Sequence, residues 1–420
     1  QAAQASRSNG HPRREDPMCK TCGDLNHEEA TSLIGRRNFL ASGAGLLAAA
    51  PLASAALTSG ALAQETAGEN LTEAHSTDSY GVTDASGNVH HMTIERRAAG
   101  PRDIVIEVMY SGICHSDIHT IVGDWGPVRA PVVPGHEIVG RVVGIGTDVT
   151  RFKVGDMAGV GCMVDSCGTC EHCLGGEEQY CQNGATWTYG SPADVPGGVT
   201  MGGWSRSIVV TEKFVIRMPQ GGDHAARAPL LCAGVTTFSP LRHWKVEPGM
   251  RVGVVGIGGL GHLAIKIASS MRADVTMFTS SEGKLADTEA LGARNGVLTT
   301  DQEAMSALAG NFDLVISTVP HSYNIGPFLP LLGKDATIVS VGTPLELQGV
   351  MGGGLWSRRR SVASSLIGSL AETQEIIDHC SNHNITADIE LITPDQINEA
   401  MSRVQNKDVR YRFVIDITGA

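Results

Sequence analysis

The stretch that most restricts the fold is "MRVGVVGIGGLGHLAIKIASSM", residues 250 to 271. A Val-rich run, a glycine turn and a run with apolar residues at helical spacing follow one another without a break, which reads as strand, turn and helix. Gly256, Gly258 and Gly261 form G-x-G-x-x-G at the turn. The first glycine permits the tight bend, the second lets a pyrophosphate approach the backbone, and the third lets helix and strand pack closely. Alone the pattern is weak; its place between a strand and a helix is the context that supports it. "FDLVIST" and "ATIVSVGTP" have the apolar character and length of further buried parallel strands.

The next strand, "ADVTMF", runs into "TSSEGK". An acidic residue at this strand end would bind a ribose 2′-hydroxyl. Ser280 stands there instead, followed by Ser281 and Lys284. A carboxylate repels a 2′-phosphate, whereas two hydroxyls and an ammonium bind one, so NADP(H) is the expected nucleotide. An ordinary Ser-rich turn is the competing reading. Glu282 lies beyond the serines and is expected to face solvent.

Cysteine spacing carries a second message. Cys167, Cys170, Cys173 and Cys181 stand in "CGTCEHCLGGEEQYC", a C-x2-C-x2-C-x7-C run on a Gly-punctuated loop. Four such thiolates wrap one tetrahedral zinc with no open position, a structural site. An iron–sulfur cluster competes, but its signature has shorter gaps and a Pro after the last Cys, where Gln182 stands here. Two disulfides fit poorly, because adjacent C-x2-C pairs do not suit bridging geometry. Further ligands lie in "GICHSDIHT", with Cys114; in "VVPGHEIVG", with His136 and Glu137; and in "LLCAGVTTF", with Cys232. One histidine and two cysteines leave zinc a fourth, open position, and two thiolates cancel the charge of the dication. Any one of these residues alone would pass as core filler. In this order, around the four-cysteine loop, they read as a catalytic metal site.

At 420 residues the chain suits two domains. With a formal net charge of -12 and no basic run longer than Arg358 to Arg360, the sequence shows no basic surface to neutralise phosphates, and nucleic acid is not an expected partner. Residues 1–63 read differently. Arg36 and Arg37 precede a mildly apolar, Ala/Gly-rich run that ends in "ALA" (Ala61 to Ala63), the pattern of a twin-arginine signal with a cleavage site before Gln64. A buried helix or a membrane anchor is the alternative; repeated Gly, Ser and Pro oppose the first and weak hydropathy the second. Met18 is the expected natural start, and 64–78 is expected to be a loose leader. Periplasmic or exported localisation follows, or cytoplasmic if the signal is not used. The twin-arginine route carries folded proteins, so on this reading metal is expected to be loaded in the reducing cytosol first. Cys19 and Cys22, with His27 nearby, form one more C-x2-C that reads as incidental, or as a contact for metal or a chaperone.

From about Tyr80 onward the chain resembles a zinc-dependent medium-chain alcohol dehydrogenase. "GICHSDIH", "PGHEIVG", the four-cysteine lobe, "CAGVTT" and "GIGGLGH" together resemble the cinnamyl alcohol dehydrogenase subfamily. The resemblance implies an α/β fold: a GroES-like, mainly-β catalytic domain (79–233 and 367–420) with a Rossmann doubly wound parallel sheet (234–366) inserted, and it adds support to the reading of the G-x-G-x-x-G turn. It implies two zincs per chain and a homodimer, although "QGVMGGGLWSRRR" departs from the expected short link. It implies that Ser116 exchanges a proton with the substrate oxygen and passes it toward His119. Asp117 would fix the tautomer of His136, and Glu137 would approach the metal during ligand exchange. His115, Thr236, Gly259 and Leu260 would join the cofactor site, with Thr318, Val341 and Gly342 near the nicotinamide. Trp125, Trp187 and Cys162 would line a pocket for flat or extended aldehydes. The leading expectation is an NADP(H)-dependent alcohol dehydrogenase acting mainly as an aldehyde reductase. The rivals are an NAD-dependent zinc dehydrogenase of another alcohol, polyol or formaldehyde, and an exported zinc-binding protein with vestigial activity.

Overall fold

A computed structural model describes residues 71–419. The expected export signal, Met18, the Cys19/Cys22 pair and residues 64–70 of the expected loose leader lie outside the described residues. The end of that leader is ordered instead: residues 75–78 open the strand His75–Gly81, which pairs with His90–Arg96. Among the described residues no helix is long and apolar enough to cross a membrane.

Two large sheets organise the chain. The glycine-turn region forms six strands in the order Asn295–Leu298, Asp274–Thr279, Arg251–Val255, Phe312–Ser317, Leu332–Ser340, Ser361–Ser364. Every neighbouring pair in it is parallel. The chain thus starts in the middle of the sheet, works to one edge and returns to build the other half, a doubly wound Rossmann arrangement. Its central strands are continuous apolar runs because helices cover both faces: Val252, Val254, Leu314, Val315, Ile316 and Ile338 are fully buried. The strands foreseen from "ADVTMF", "FDLVIST" and "ATIVSVGTP" are all present.

The second sheet is mostly antiparallel. Its order is Ile389–Ile392, Arg412–Asp416, Asp103–Gly112, Ile138–Ile145, Met157–Val160, Ile216–Arg217, with Ser207–Thr211 also paired to Asp103–Gly112. The C-terminal "YRFVIDI" run completes it, Val414 opposite Gly112 and Ile415 opposite Ser111. Burial here is less uniform, and the long strand Asp103–Gly112 turns Glu107 to solvent between buried valines and isoleucines. Trp204 fills the centre of its core, fully buried, and donates its indole N–H to the Gly112 carbonyl at 3.3 Å.

Candidate active site

The strand Asp103–Gly112 leads through Ile113 into the helix His115–Val122, with Cys114 as N-cap. Asp117 folds back over that first turn, and its Oδ2 accepts the Cys114 N–H at 2.8 Å. Oδ1 accepts the Gly135 N–H at 3.1 Å and lies 3.0 Å from His136 Nδ1. One fully buried carboxylate therefore ties the Cys114 corner to the His136 loop. With Nδ1–H directed at Asp117, the free lone pair of His136 is on Nε2. That nitrogen is 3.2 Å from Sγ of Cys232, which sits at the start of the helix Ala233–His243.

The ligand atoms of Cys114, His136, Glu137 and Cys232 lie within 4.8 Å of one another, all buried. Two sulfurs and an imidazole so spaced are the donor set of an open zinc site, with the Glu137 carboxylate beside them, and the residues fit that ion. The Cys114 thiol is held well below its usual range by its hydrogen bond with Cys232, against burial and helped by Arg412. The same pairing pushes the Cys232 thiol up.

Arg412 was not singled out in the sequence. Its Nη2 donates to Glu137 Oε1 at 2.8 Å and its Nη1 to the Ile113 carbonyl at 3.3 Å. Gly112 is required beneath this pair, because a Cβ there would lie 1.9 Å from Glu137 Oε2. Arg412 also reaches the glycine turn, where a Cβ on Gly259 would come within 2.8 Å of its guanidinium carbon. One cation thus connects the metal cluster to the nucleotide turn.

Ser116 Oγ stands 3.7 Å from Cys114 Sγ, half-buried at the cluster's edge. His119 lies one turn on, its Nδ1 2.6 Å from Asp124 Oδ2, while Nε2 is buried without a partner. Asp124 is a second residue that went unread; an acid just past the end of the helix was its signal. The His119 ring centroid is 5.0 Å from Trp125 and 5.9 Å from His115. Burial lowers the His115 pKa to about 4, so that ring is neutral at pH 7. Trp125 is 43% exposed, so one face of its indole is open to a ligand or solvent.

The strands Met163–Asp165 and Thr186–Trp187 pair with Met163 opposite Trp187, and the four-cysteine lobe hangs between them. At the base of this ladder Cys162 accepts the Thr188 N–H at 3.0 Å. Tyr189, also unread in the sequence, places its ring 5.7 Å from that of His136. In the lobe, all four sulfurs lie within 4.8 Å, with Cys167 and Cys173 3.9 Å apart. Zinc–sulfur bonds of ~2.3 Å at tetrahedral angles require sulfurs about 3.8 Å apart, so the lobe fits a structural zinc. Backbone N–H groups of Thr169 and Cys170 pull the Cys167 thiol down to about 5, as a thiolate ligand requires. No disulfide links any cysteine among the described residues.

At the glycine turn, Gly256 has φ +86, and a Cβ on Gly261 would sit 1.9 Å from the Gly256 carbonyl oxygen. Only glycine permits both. The helix Gly259–Ser270 starts there, presenting free N–H groups and a positive dipole end. Thr318 braces the turn from below, donating to the Gly256 carbonyl at 2.7 Å. Val341 donates its N–H to Ser317 at 2.9 Å, and Gly342 packs so close to Val319 that a Cβ would lie 2.1 Å from its carbonyl oxygen. Thr236 is buried with its hydroxyl unpartnered, an acceptor and donor left for a bound group. These features fit a dinucleotide. Ser280, Ser281 and Glu282 are exposed, as expected of residues facing a ligand or solvent. Lys284 differs from expectation: it is 8% exposed, and its Nζ donates to the Ile257 carbonyl at 2.7 Å, inside the turn.

Family models agree with this geometry. Residues 100–220 match the alcohol dehydrogenase GroES-like domain, and residues 259–382 match the zinc-binding dehydrogenase domain. The chain belongs to the zinc-containing medium-chain alcohol dehydrogenases. An NADP-dependent alcohol dehydrogenase C of Mycolicibacterium smegmatis is 48% identical over 338 residues, 80% of this chain and 97% of the relative. An aldehyde reductase of Escherichia coli is 48% identical over 340 residues, again 80% and 97%. The solved cinnamyl alcohol dehydrogenase of Sorghum bicolor superposes with a TM-score of 0.80 at 40% identity, covering 82% of this chain and 99% of that one. Within the family this alcohol dehydrogenase is of the cinnamyl alcohol dehydrogenase type.

Proposed function

We propose that this alcohol dehydrogenase acts mainly as a zinc-dependent, NADPH-consuming aldehyde reductase for aromatic, allylic or aliphatic aldehydes. The observation that carries the reading is the buried Cys114–His136–Glu137–Cys232 group, joined by Arg412 to the glycine turn. When bound, zinc supplies Lewis acidity and the nicotinamide supplies a hydrogen with two electrons. The chain's own residues do the rest. Asp117 holds His136 in the tautomer that keeps Nε2 free. Ser116 delivers the proton from Oγ to the substrate oxygen, and His119, oriented by Asp124, restores it. Glu137 stands by the metal ligands for ligand exchange, and Arg412 keeps its carboxylate from being an uncompensated buried charge. Trp125, Trp187 and Cys162, with Tyr189 added, form the pocket side, where flat apolar substrates gain most. The turn binds the pyrophosphate at Gly258, Gly259, Leu260 and Gly261, next to Thr236 and His115.

The test follows NADPH and NADH consumption side by side by the zinc-loaded protein with cinnamaldehyde, benzaldehyde and formaldehyde. Rapid NADPH oxidation with the aromatic aldehydes supports the reading. Turnover with NADH alone overturns the nucleotide assignment, and no turnover despite two zincs overturns the function.

The chain division 79–233 plus 367–420 around 234–366 belongs to the same proposal, supported by the pairing of Arg412–Asp416 with Asp103–Gly112. So do a homodimer, to be tested by light scattering, and twin-arginine export. Cell fractionation tests export, and nucleotide content of the exported fraction tests whether the cofactor travels with the protein.

A further inference from the structure

Arg96 ends the strand His90–Arg96 with its side chain buried, and among the described residues no carboxylate pairs with it. Neutral acceptors hold its guanidinium instead. Nη1 donates to the Met201 carbonyl at 2.8 Å, and Nη2 donates to the Gly202 carbonyl and to Ser205 Oγ, both at 2.8 Å. Nε is buried without a partner. Burial lowers the Arg96 pKa, and no neighbouring charge opposes it. An apolar side chain would fill the same space at less cost. What it could not do is grip two successive carbonyls with one rigid fork.

The gripped run leans on the loop that carries a metal ligand. Gly202 donates its N–H to the Val133 carbonyl at 2.7 Å, Gly203 to that of Gly135 at 2.9 Å, and Trp204 to that of Pro134 at 3.0 Å. The peptide units 201–202 and 202–203 therefore each place their oxygen on Arg96 and their N–H on the residues just before His136. A charged donor on the oxygen polarises the unit and strengthens the bond made by its N–H. The contact has no slack. A Cβ on Gly202 would lie 2.3 Å from the Pro134 carbonyl oxygen, and one on Gly135 would lie 2.5 Å from Trp204 Cδ1. A shift of 201–204 must then be passed on to Gly135 and His136. The pocket side is tied to the same run, since Thr200 accepts the Gly190 N–H at 2.8 Å and its Oγ1 donates to the Trp187 carbonyl at 2.9 Å.

We infer that Arg96 is a positioning residue for the catalytic metal site: through the peptide units 201–202 and 202–203 it fixes residues 133–135, and with them the backbone from which His136 hangs. The inference rests on the zinc reading and adds a support that lies outside the ligand set. Asp117 orients the imidazole of His136, whereas Arg96 holds the chain beneath it.

Exchange of the catalytic zinc for cobalt(II) gives that site a visible ligand-field band, which reads its geometry apart from turnover. Wild type is expected to show the band of a tetrahedral site with two thiolates and an imidazole. Arg96→Met should shift that band and lower kcat of the zinc enzyme by about tenfold, the lower range for a lost support of metal ligands. NADPH affinity, read by fluorescence titration, should stay as it was. Hydrogen exchange at the Gly203 and Trp204 amides should speed up in the same variant. Arg96→Lys offers one ammonium for two carbonyls and should lie between the two. If Arg96→Met does not fold, Arg96→Lys against wild type decides. The inference is overturned if the folded variant keeps the wild-type band and kcat, however much its melting temperature falls. A wild type that shows no cobalt band at all would instead sink the zinc reading, and this assignment with it.

Discussion

Arg412 Nη2 and Glu137 Oε1 meet at 2.8 Å with both side chains closed off from solvent. Burial raises the Glu137 carboxyl while Arg412 pulls it back down, so each charge is tolerable only beside the other. Arg412→Leu is expected to cost about 3–5 kcal/mol, as removal of one partner of a buried pair does. Glu137→Gln keeps an oxygen for Arg412 but leaves its charge buried without a carboxylate, so it should also destabilise. Urea unfolding of the two variants is the check; no loss in either would show that the pair is not a source of stability.

His119→Ala is expected to reduce kcat by about 10²-fold, the lower range for a lost proton-transfer group, with KM for the aldehyde little changed. Added imidazole should restore part of the rate. Asp124→Asn should give a smaller loss without imidazole rescue, because the ring is still present and only its orientation is lost. A His119→Ala enzyme with full kcat would remove it from the proton route.

In the lobe, Cys173→Ser should drop the metal content from two zincs per chain to one and lower the melting temperature, because lobe binding energy is folding energy. Elemental analysis and a thermal scan suffice. The remaining zinc should stay with Cys114, His136 and Cys232.

His262 gives the protein an acid limit. It is fully buried, its Nδ1–H donates to the Gly258 carbonyl at 3.0 Å, and its Nε2 accepts the Asp388 N–H at 3.2 Å. Burial first of all lowers its pKa to about 3. The unfolded state then takes up a proton below pH about 6.5 that the native state refuses until about 3, so stability rises with pH across that window. From pH 7 down to 5 this histidine should remove about 2 kcal/mol. His262→Gln should flatten that part of the pH–stability curve; an unchanged slope would discount it.

Gly261→Ala would drive a methyl into the Gly256 carbonyl, 1.9 Å away. Loss of nucleotide binding, read by fluorescence titration, is expected with zinc content unchanged.

Much of this molecule is written locally. A glycine turn between strand and helix, and cysteines two residues apart, act within one or two turns of chain, so spacing in its local context, with the family resemblance, announced the Rossmann half and the lobe. Cys114, His136 and Cys232 were legible for a related reason: each sits in a short run of unusual chemistry. What spacing does not encode is which distant group compensates a buried charge. Arg412 stands 275 residues from Glu137, and nothing around it in the sequence marks it as different from Arg410 two positions earlier. Folding decided between them, turning one guanidinium inward to a buried carboxylate and the other outward onto the Gly283 carbonyl. Lys284 was read by its position and placed by its surroundings: the carbonyl of Ile257 was the nearer acceptor. Local sequence thus determined which elements form and which candidate ligand side chains they carry. The tertiary structure alone decided where each cation points, because in a close-packed interior a charge goes where an acceptor already waits.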